Sequence, residues 1–262
     1  MTNNQQLSVR LNKFLAERLG VSRREADELI ASGKITVNQS KAILGTKIDK
    51  KSKVFYNNKL VSFENEYIYI AFNKPTGFVC SRRAQGQTPT LYDLLPKKYQ
   101  HLKTVGRLDK DSSGLILLTN DGDFAFQMTH PQFRKTKVYE VELNKPLKPL
   151  HQQMIMEYGV MLDDGPSQFK VIRNDFAKPL LRGIRSCYED ATTSPVKTGA
   201  RSVPKKTVSQ NQYIVTLSEG RNRQIRRTFA ALGYRVTKLH RINFGKYELG
   251  DLQPGKCVII EP

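Results

Sequence analysis

The chain has 262 residues, 39% of them hydrophobic, and a formal net charge of +19 from 43 Lys and Arg against 24 Asp and Glu. That length suffices for one good core and a small second one, and the charge suits a polyanion, most commonly nucleic acid. A membrane surface is excluded as the partner, because no basic amphipathic helix of the required apolarity is present. In chain order, the polar start MTNNQQ reads as no leader, so the cytoplasm is the expected location. Residues 7–63 form a distinct basic unit. Leu11, Phe14, Leu15 and Leu19 recur at helical spacing, and Gly20 is placed to stop that helix. Ser22 with Glu25 is a capping box for a second helix through Ala26, Leu29 and Ile30, which Gly33 ends. Short strands are expected at 35–38 and 54–56. Arg10, Lys13, Arg18, Arg23, Arg24, Lys34 and Lys41 take the polar positions. Such a face fits plain solvation as well as a grip on RNA.

The acidic triplet at 64–66 reads as a linker into a second domain at 67–262. Residues 67–72 are aromatic and β-branched enough for a strand, with a turn at 73–77. The densest stretch is TVGRLDKDSSGLILLTNDGD at 104–123. It reads as strand, tight charged loop, buried strand, turn and helix start. Asp109 sits on that loop beside Arg107 and Lys110, whose cations favour its ionised form. Taken alone, Asp109 and Asp111 read first as turn or cap residues. A helix at 123–130 and a strand at 134–143 follow, with Tyr139 as a half-buried strand aromatic. Residues 159–166 turn between strands.

The stretch 174–210 contains ATTSPVKTGARSVPKK and breaks the pattern. It reads as an insertion, either an electrostatic arm for RNA or a merely tolerated loop. A strand at 213–217 then leads to a helix stopped by Gly233. Arg221, Arg223, Arg226 and Arg227 crowd its start, where the partial positive charge of a helix N-terminus disfavours cations. That local conflict points to an anionic partner. Arg223 and Arg226, three apart, share a face suited to a carboxylate and a phosphate. The stretch G-D-L-Q-P-G-K-C at 250–257 nearly matches a phosphate-binding loop, but it ends in Cys with no room for the required helix. It reads as a turn before a last strand at 258–260. Cys80, Cys187 and Cys257 lie far apart, and the four histidines lack paired-ligand spacing, so neither a disulfide framework nor a metal is expected.

The string G-R-L-D, then S-S-G-L and an apolar strand ending T-N-D-G, resembles the catalytic motif of bacterial ribosomal RNA pseudouridine synthases. F-N-K-P-T-G-F-V-C-S at 72–81 resembles that family's opening strand and loop, K-V-Y-E-V at 137–141 its second motif, and E-G-R-N-R-Q-I-R-R at 219–227 its third. R-L-N-K-F-L with S-R-R-E-A-D-E-L-I-x-x-G-K-I-T-V-N resembles a small αL RNA-binding domain. The resemblance runs from Val9 to Ile260, apart from the insertion. It implies an α+β protein, a small N-terminal αL domain followed by a catalytic domain on a mixed, largely antiparallel sheet.

The implied reaction is isomerisation of a specific uridine in ribosomal RNA, the base being detached from its sugar and rejoined through carbon 5, with no cofactor or metal. Carried over residue by residue, Asp109 is the catalytic carboxylate, Tyr139 lies against the base, and Arg226 pairs with Asp109. Arg10, Lys13, Arg23, Arg24, Lys34, Lys74, Arg107, Lys137, Arg221, Arg223, Gln224 and Arg227 are the expected RNA contacts. The form G-V-x-L-x-D-G-P at 159–166 resembles the subgroup acting on large-subunit RNA. The expected partner is ribosomal RNA or a ribosome assembly intermediate, and a monomer is expected. The rival reading is a non-catalytic RNA-binding assembly factor, against which the intact Asp109, Tyr139 and Arg226 set argues.

Overall fold

A computed structural model of the chain describes residues 8–64, 66–82, 86–174, 185–186 and 210–262. The expected arm at 174–210 falls almost wholly outside them, as does Cys187. The chain packs as two units, one comprising the described residues up to Ile68 with Asn120–Gly122, the other Tyr69–Thr119 with Asp123–Pro262.

The first unit runs β1 (Val9–Arg10), α1 (Leu11–Arg18), α2 (Arg23–Ala31), β2 (Ile35–Val37), β3 (Ser40–Lys41), β4 (Lys47–Ile48), β5 (Val54–Tyr56) and β6 (Lys59–Leu60). Gly20 and Gly33 follow the two helices at φ +69° and +71°, the left-handed conformation that lets a chain leave a helix cheaply only at glycine. The capping box forms in full. The Ser22 N–H donates to Glu25 Oε2 at 2.7 Å, and the Glu25 N–H to Ser22 Oγ at 3.1 Å. Leu11, Phe14 and Leu15 pack with Ala26, Ile30, Ile35 and Val54 into a small core.

The second unit comprises β7 (Tyr69–Lys74), β8 (Lys103–Val105), β9 (Ser113–Thr119), α3 (Gly122–Thr129), β10 (Lys137–Leu143), α4 (Pro149–Gln153), β11 (Val160–Leu162), β12 (Gly165–Ser167), β13 (Lys170–Arg173), β14 (Arg185–Ser186), β15 (Gln212–Leu217), α5 (Gln224–Ala231), β16 (Val236–Phe244), β17 (Tyr247–Glu248) and β18 (Cys257–Ile259). Its main sheet has the order β13-β15-β10-β16-β9-β7-β18-β14, with β8 also on β9 and β17 on β16. The β9–β16 pair is parallel and the others are antiparallel. The α+β architecture with a mixed, largely antiparallel sheet is thus the expected one. Leu115 to Leu118 are all fully buried, so β9 is apolar on both faces, as a covered central strand must be.

Several elements differ from the sequence reading, and residues 159–166, read as a turn, hold β11 and the start of β12. β7 continues through Asn73 and Lys74, which pair with Leu115 and Gly114 instead of turning. β10 starts at Lys137, because Arg134 is left-handed at φ +44° and cannot extend the strand. β16 was not anticipated at all. Its buried positions are Val236, Leu239, Arg241 and Phe244, because two bulges, at Thr237 and Ile242, interrupt the two-residue period. Lys137 faces Phe244 and Val138 faces Asn243, but Tyr139 faces Arg241, which leaves Ile242 as the extra residue.

β16 meets β9 at one intimate point. Gly114, opposite Arg241 in the parallel register, holds φ +106°, and a methyl group built on it would overlap the Arg241 backbone. Gly114→Ala is therefore expected to lower unfolding stability by more than about 3 kcal/mol, through strain and overlap together. Urea denaturation checks this, and an unchanged midpoint would contradict the close approach.

Candidate active site

The loop between β8 and β9, residues 106–112, carries Asp109 and is held from beneath by β7 and the turn after it. Lys74 is fully buried. Its Nζ donates to the carbonyl oxygens of Pro75 (3.0 Å), Asp109 (3.0 Å) and Ser112 (2.7 Å). All three ammonium N–H groups are thereby used. Burial pulls its pKa down, while Cys80, Asp109 and Asp111 act in the opposite direction. Next along, the Gly77 N–H donates to the Lys110 carbonyl at 2.7 Å. The Cys80 thiol donates to the Leu108 carbonyl at 3.3 Å, and its sulfur accepts the Leu108 N–H at 3.4 Å. Lys74 is thus corrected from an RNA contact to an internal clamp. No solvent-facing atom remains on it to meet a phosphate.

The partner of Asp109 is also corrected. Its Oδ2 lies 3.5 Å from Arg223 Nη1, whereas Arg226 pairs with Asp111, its Nε 3.3 Å from Oδ2. Arg226 further donates to the carbonyls of Asp111 (2.9 Å) and Val236 (3.0 Å). Arg223 also forks onto both Asp111 oxygens at 3.0 Å each. It can do so because it occupies the position just before α5 with φ +46° and ψ +31°, a sparsely populated conformation for a non-glycine residue. Hydrogen bonding from Arg223 chiefly, then the nearby Arg226 charge, holds the Asp111 carboxyl below its ordinary value against the opposing effect of burial.

The other arginines of that cluster are paired with the protein's own acids. Arg227 pairs with Asp163 at 2.5 Å and Asp164 at 2.6 Å. Arg221 reaches Asp164 Oδ1 at 3.0 Å and the carbonyls of Gly165 and Pro166. Together they fasten the β11–β12 hairpin to the start of α5. Gln224 is buried and donates to Ser167 Oγ at 3.1 Å and to Glu219. It is corrected from an RNA contact to a support of the Glu219 turn, and the conflict of four cations with the helix end is resolved by the protein's own acids.

A cleft of about 450 Å³ opens over the Asp109 loop, lined among others by Arg107, Asp109, Lys137, Arg221, Arg223 and Arg241. Its size falls in the range of small-ligand sites. Arg107 is exposed. Lys137 donates from Nζ to the Glu219 carbonyl at 3.3 Å. Its pKa is lowered, first by burial and then by Arg241. Tyr139 is 8% exposed, opposite Arg241 in the ladder, and is not among the residues that line the cleft. In the first unit Arg10, Arg23, Arg24 and Lys34 are exposed, and Lys13 is half-buried. Sequence reasoning missed Arg241, and its signal was a lone arginine at an inward-facing strand position. Chemically, the site offers a half-exposed carboxylate on a fixed loop, beside one guanidinium, in a cationic cleft. That combination suits attack or proton removal on a polyanionic substrate.

A family model described as RNA pseudouridylate synthase matches residues 68–231, and an S4 domain model matches residues 9–54. The chain is 32% identical to the ribosomal small subunit pseudouridine synthase A of Vibrio vulnificus, over 95% of this chain and 94% of that one. It is 33% identical to the ribosomal large subunit pseudouridine synthase B of Bacillus subtilis, over 97% and 92%. A solved structure described as a crystal structure of pseudouridylate synthase aligns with a TM-score of 0.60 at 27% identity, covering 97% of this chain and 96% of that one.

The two arginines are expected to separate under mutation. Arg226→Gln strands the Asp111 and Val236 carbonyls and should cost about 2 kcal/mol or more of stability, whereas Arg223→Gln, with its half-exposed side chain, should cost less than about 1 kcal/mol. Because the folded pKa of Asp111 lies below its ordinary 3.8, its contribution is complete above about pH 4 and fades as pH falls through the folded value. Melting curves between about pH 2 and 5 should show a shallower acid-side loss in Arg223→Gln than in the wild type; parallel curves would contradict the Asp111 pairing.

Proposed function

The chain belongs to the RNA pseudouridylate synthase family and carries an S4 domain at its N-terminal end, and on that premise we propose that it isomerises a specific uridine of ribosomal RNA with Asp109 as the acting carboxylate. The observation that carries this reading is the presentation of Asp109. It stands on a loop clamped by the buried Lys74, lines the cleft, and is 3.5 Å from the Arg223 guanidinium.

The target base must leave its stack to reach this cleft, at a cost of a few kcal/mol. Asp109 then acts on the ribose, as a nucleophile toward the anomeric carbon or as the base that takes the 2′ proton. Arg223 takes the place that sequence assigned to Arg226, pairing with Asp109. Tyr139, paired across the ladder with the cleft-lining Arg241, is the candidate to contact the uracil and accept the carbon-5 proton, a role that requires it to become exposed as the base enters. The exposed Arg10, Arg23, Arg24 and Lys34 of the S4 domain, with Arg107 at the cleft, supply phosphate contacts that position the strand without reading it. Large-subunit RNA is the substrate favoured by the form of 159–166. Relatives named for either subunit match to a similar degree, so small-subunit RNA is the alternative.

Asp109→Asn is expected to bind ribosomal RNA with near-normal affinity yet release no tritium from carbon-5-labelled uridine, and release at the wild-type rate would remove Asp109 from the mechanism. Binding without release by the wild type on RNA from either subunit would favour the assembly-factor reading.

A further inference from the structure

Two cations of the cleft are treated differently from the rest. Of the other cations lining the cleft, Arg221 and Arg223 each meet a carboxylate and Arg107 is exposed to solvent. Lys137 and Arg241 meet no carboxylate among the described residues. Arg241 is only 2% exposed. Its Nε donates to the Leu115 carbonyl at 2.7 Å, while its Nη2 is buried with no hydrogen-bond partner. The Lys137 ammonium has a carbonyl rather than a carboxylate as its acceptor, since the Glu219 carboxylate is engaged by Arg221 and Gln224.

Both cations lie over the same ring. The Arg241 guanidinium is 4.8 Å and the Lys137 Nζ 5.4 Å from the Phe244 centroid. The bulge at Ile242 is the cause, because it brings Arg241 and Phe244, three residues apart, to the same face of β16 opposite Tyr139 and Lys137. Burying an unpaired charge is costly, and a donor left unmade in a cleft is the mark of a missing acceptor. Burial chiefly, and then the Arg241 charge, lowers the Lys137 pKa against the opposing effect of Glu219.

We propose that Lys137 and Arg241 form the subsite that holds the uracil ring as an anion after it separates from the ribose. The inference rests on the proposed uridine isomerisation. In that reaction the C1′–N1 bond breaks with its electron pair leaving on N1, so the free base carries one negative charge spread over N1 and the carbonyl oxygens. The ring turns, C5 bonds to C1′, the C5 proton leaves to a base, and N1 takes a proton, giving an isomer with no oxidant or reductant. A delocalised planar anion suits a guanidinium and an ammonium backed by an apolar ring. A phosphate stays with the strand, whereas the extruded base is the part that enters the cleft.

The test uses the full-length protein with two readouts. The first is binding of 5-nitrouracil, an anionic base at neutral pH, against uracil; wild type should prefer the anion by at least tenfold, and Lys137→Met and Arg241→Lys should lose that preference. The second is single-turnover isomerisation of ribosomal RNA. Removing one preorganised donor costs about 10²- to 10³-fold, so Lys137→Met should slow the chemical step by that order with RNA affinity within threefold, and Lys137→Arg should recover most of it. Lys137→Met is the informative variant should Arg241→Lys fail to fold. An unchanged anion preference in Lys137→Met overturns the proposal, as does lost RNA affinity with a normal chemical step, or suppression of the preference by inorganic phosphate. A wild type that prefers 5-nitrouracil but isomerises no RNA would leave the anion subsite standing and refute the proposed reaction instead.

Discussion

The Lys74 ammonium, sealed from solvent and ringed by three carbonyl oxygens, holds the Asp109 loop in place. Taking such a charge out of water is expensive. Here the cost is offset because each N–H finds an acceptor, and two of the acceptors flank the stretch Asp109 to Ser112. The loop is therefore fixed through its backbone, which leaves the Asp109 side chain unconstrained by that clamp and available for chemistry. Sequence places Lys74 in a charged turn, where a lysine reads as a phosphate contact. The extension of β7 by two residues carries it inward instead.

Charge in this protein is divided by address. Asp111, Asp163 and Asp164 gather the four arginines at the start of α5 into fixed pairs, so the crowding that suggested an external anion has a largely internal answer. These pairs are partly exposed, and exposed pairs contribute modestly to stability. Their effect is geometric. They align the β11–β12 hairpin, the left-handed Arg223 and the Asp109 loop. Beside them Lys137 and Arg241 have no carboxylate partner among the described residues.

Elements with a local signature were legible. Ser22 and Glu25 announced α2, the run at 115–118 announced β9, and Gly233 closed α5, because caps, burial and glycine conformation act within a few residues. The placement of Asp109 on a loop between two strands was legible in the pattern of 104–123. What depends on distant partners was not. β16 hides because its bulges mix periods, and its arginine is inward-facing only once β9 and β10 stand on either side. The choice between Arg223 and Arg226 as the partner of Asp109 turned on one backbone dihedral, which helical spacing does not encode.

The internal pairing of Arg221 and Arg227 also bears on how tightly the protein holds a polyelectrolyte. Binding to such a chain draws much of its free energy from ions shed into bulk as cations replace them along the backbone. An arginine already matched to Asp163 or Asp164 sheds none unless that pair opens first. The thermodynamic footprint at rising ionic strength should therefore be narrower than the formal +19 suggests, and weighted toward the side chains that face solvent alone.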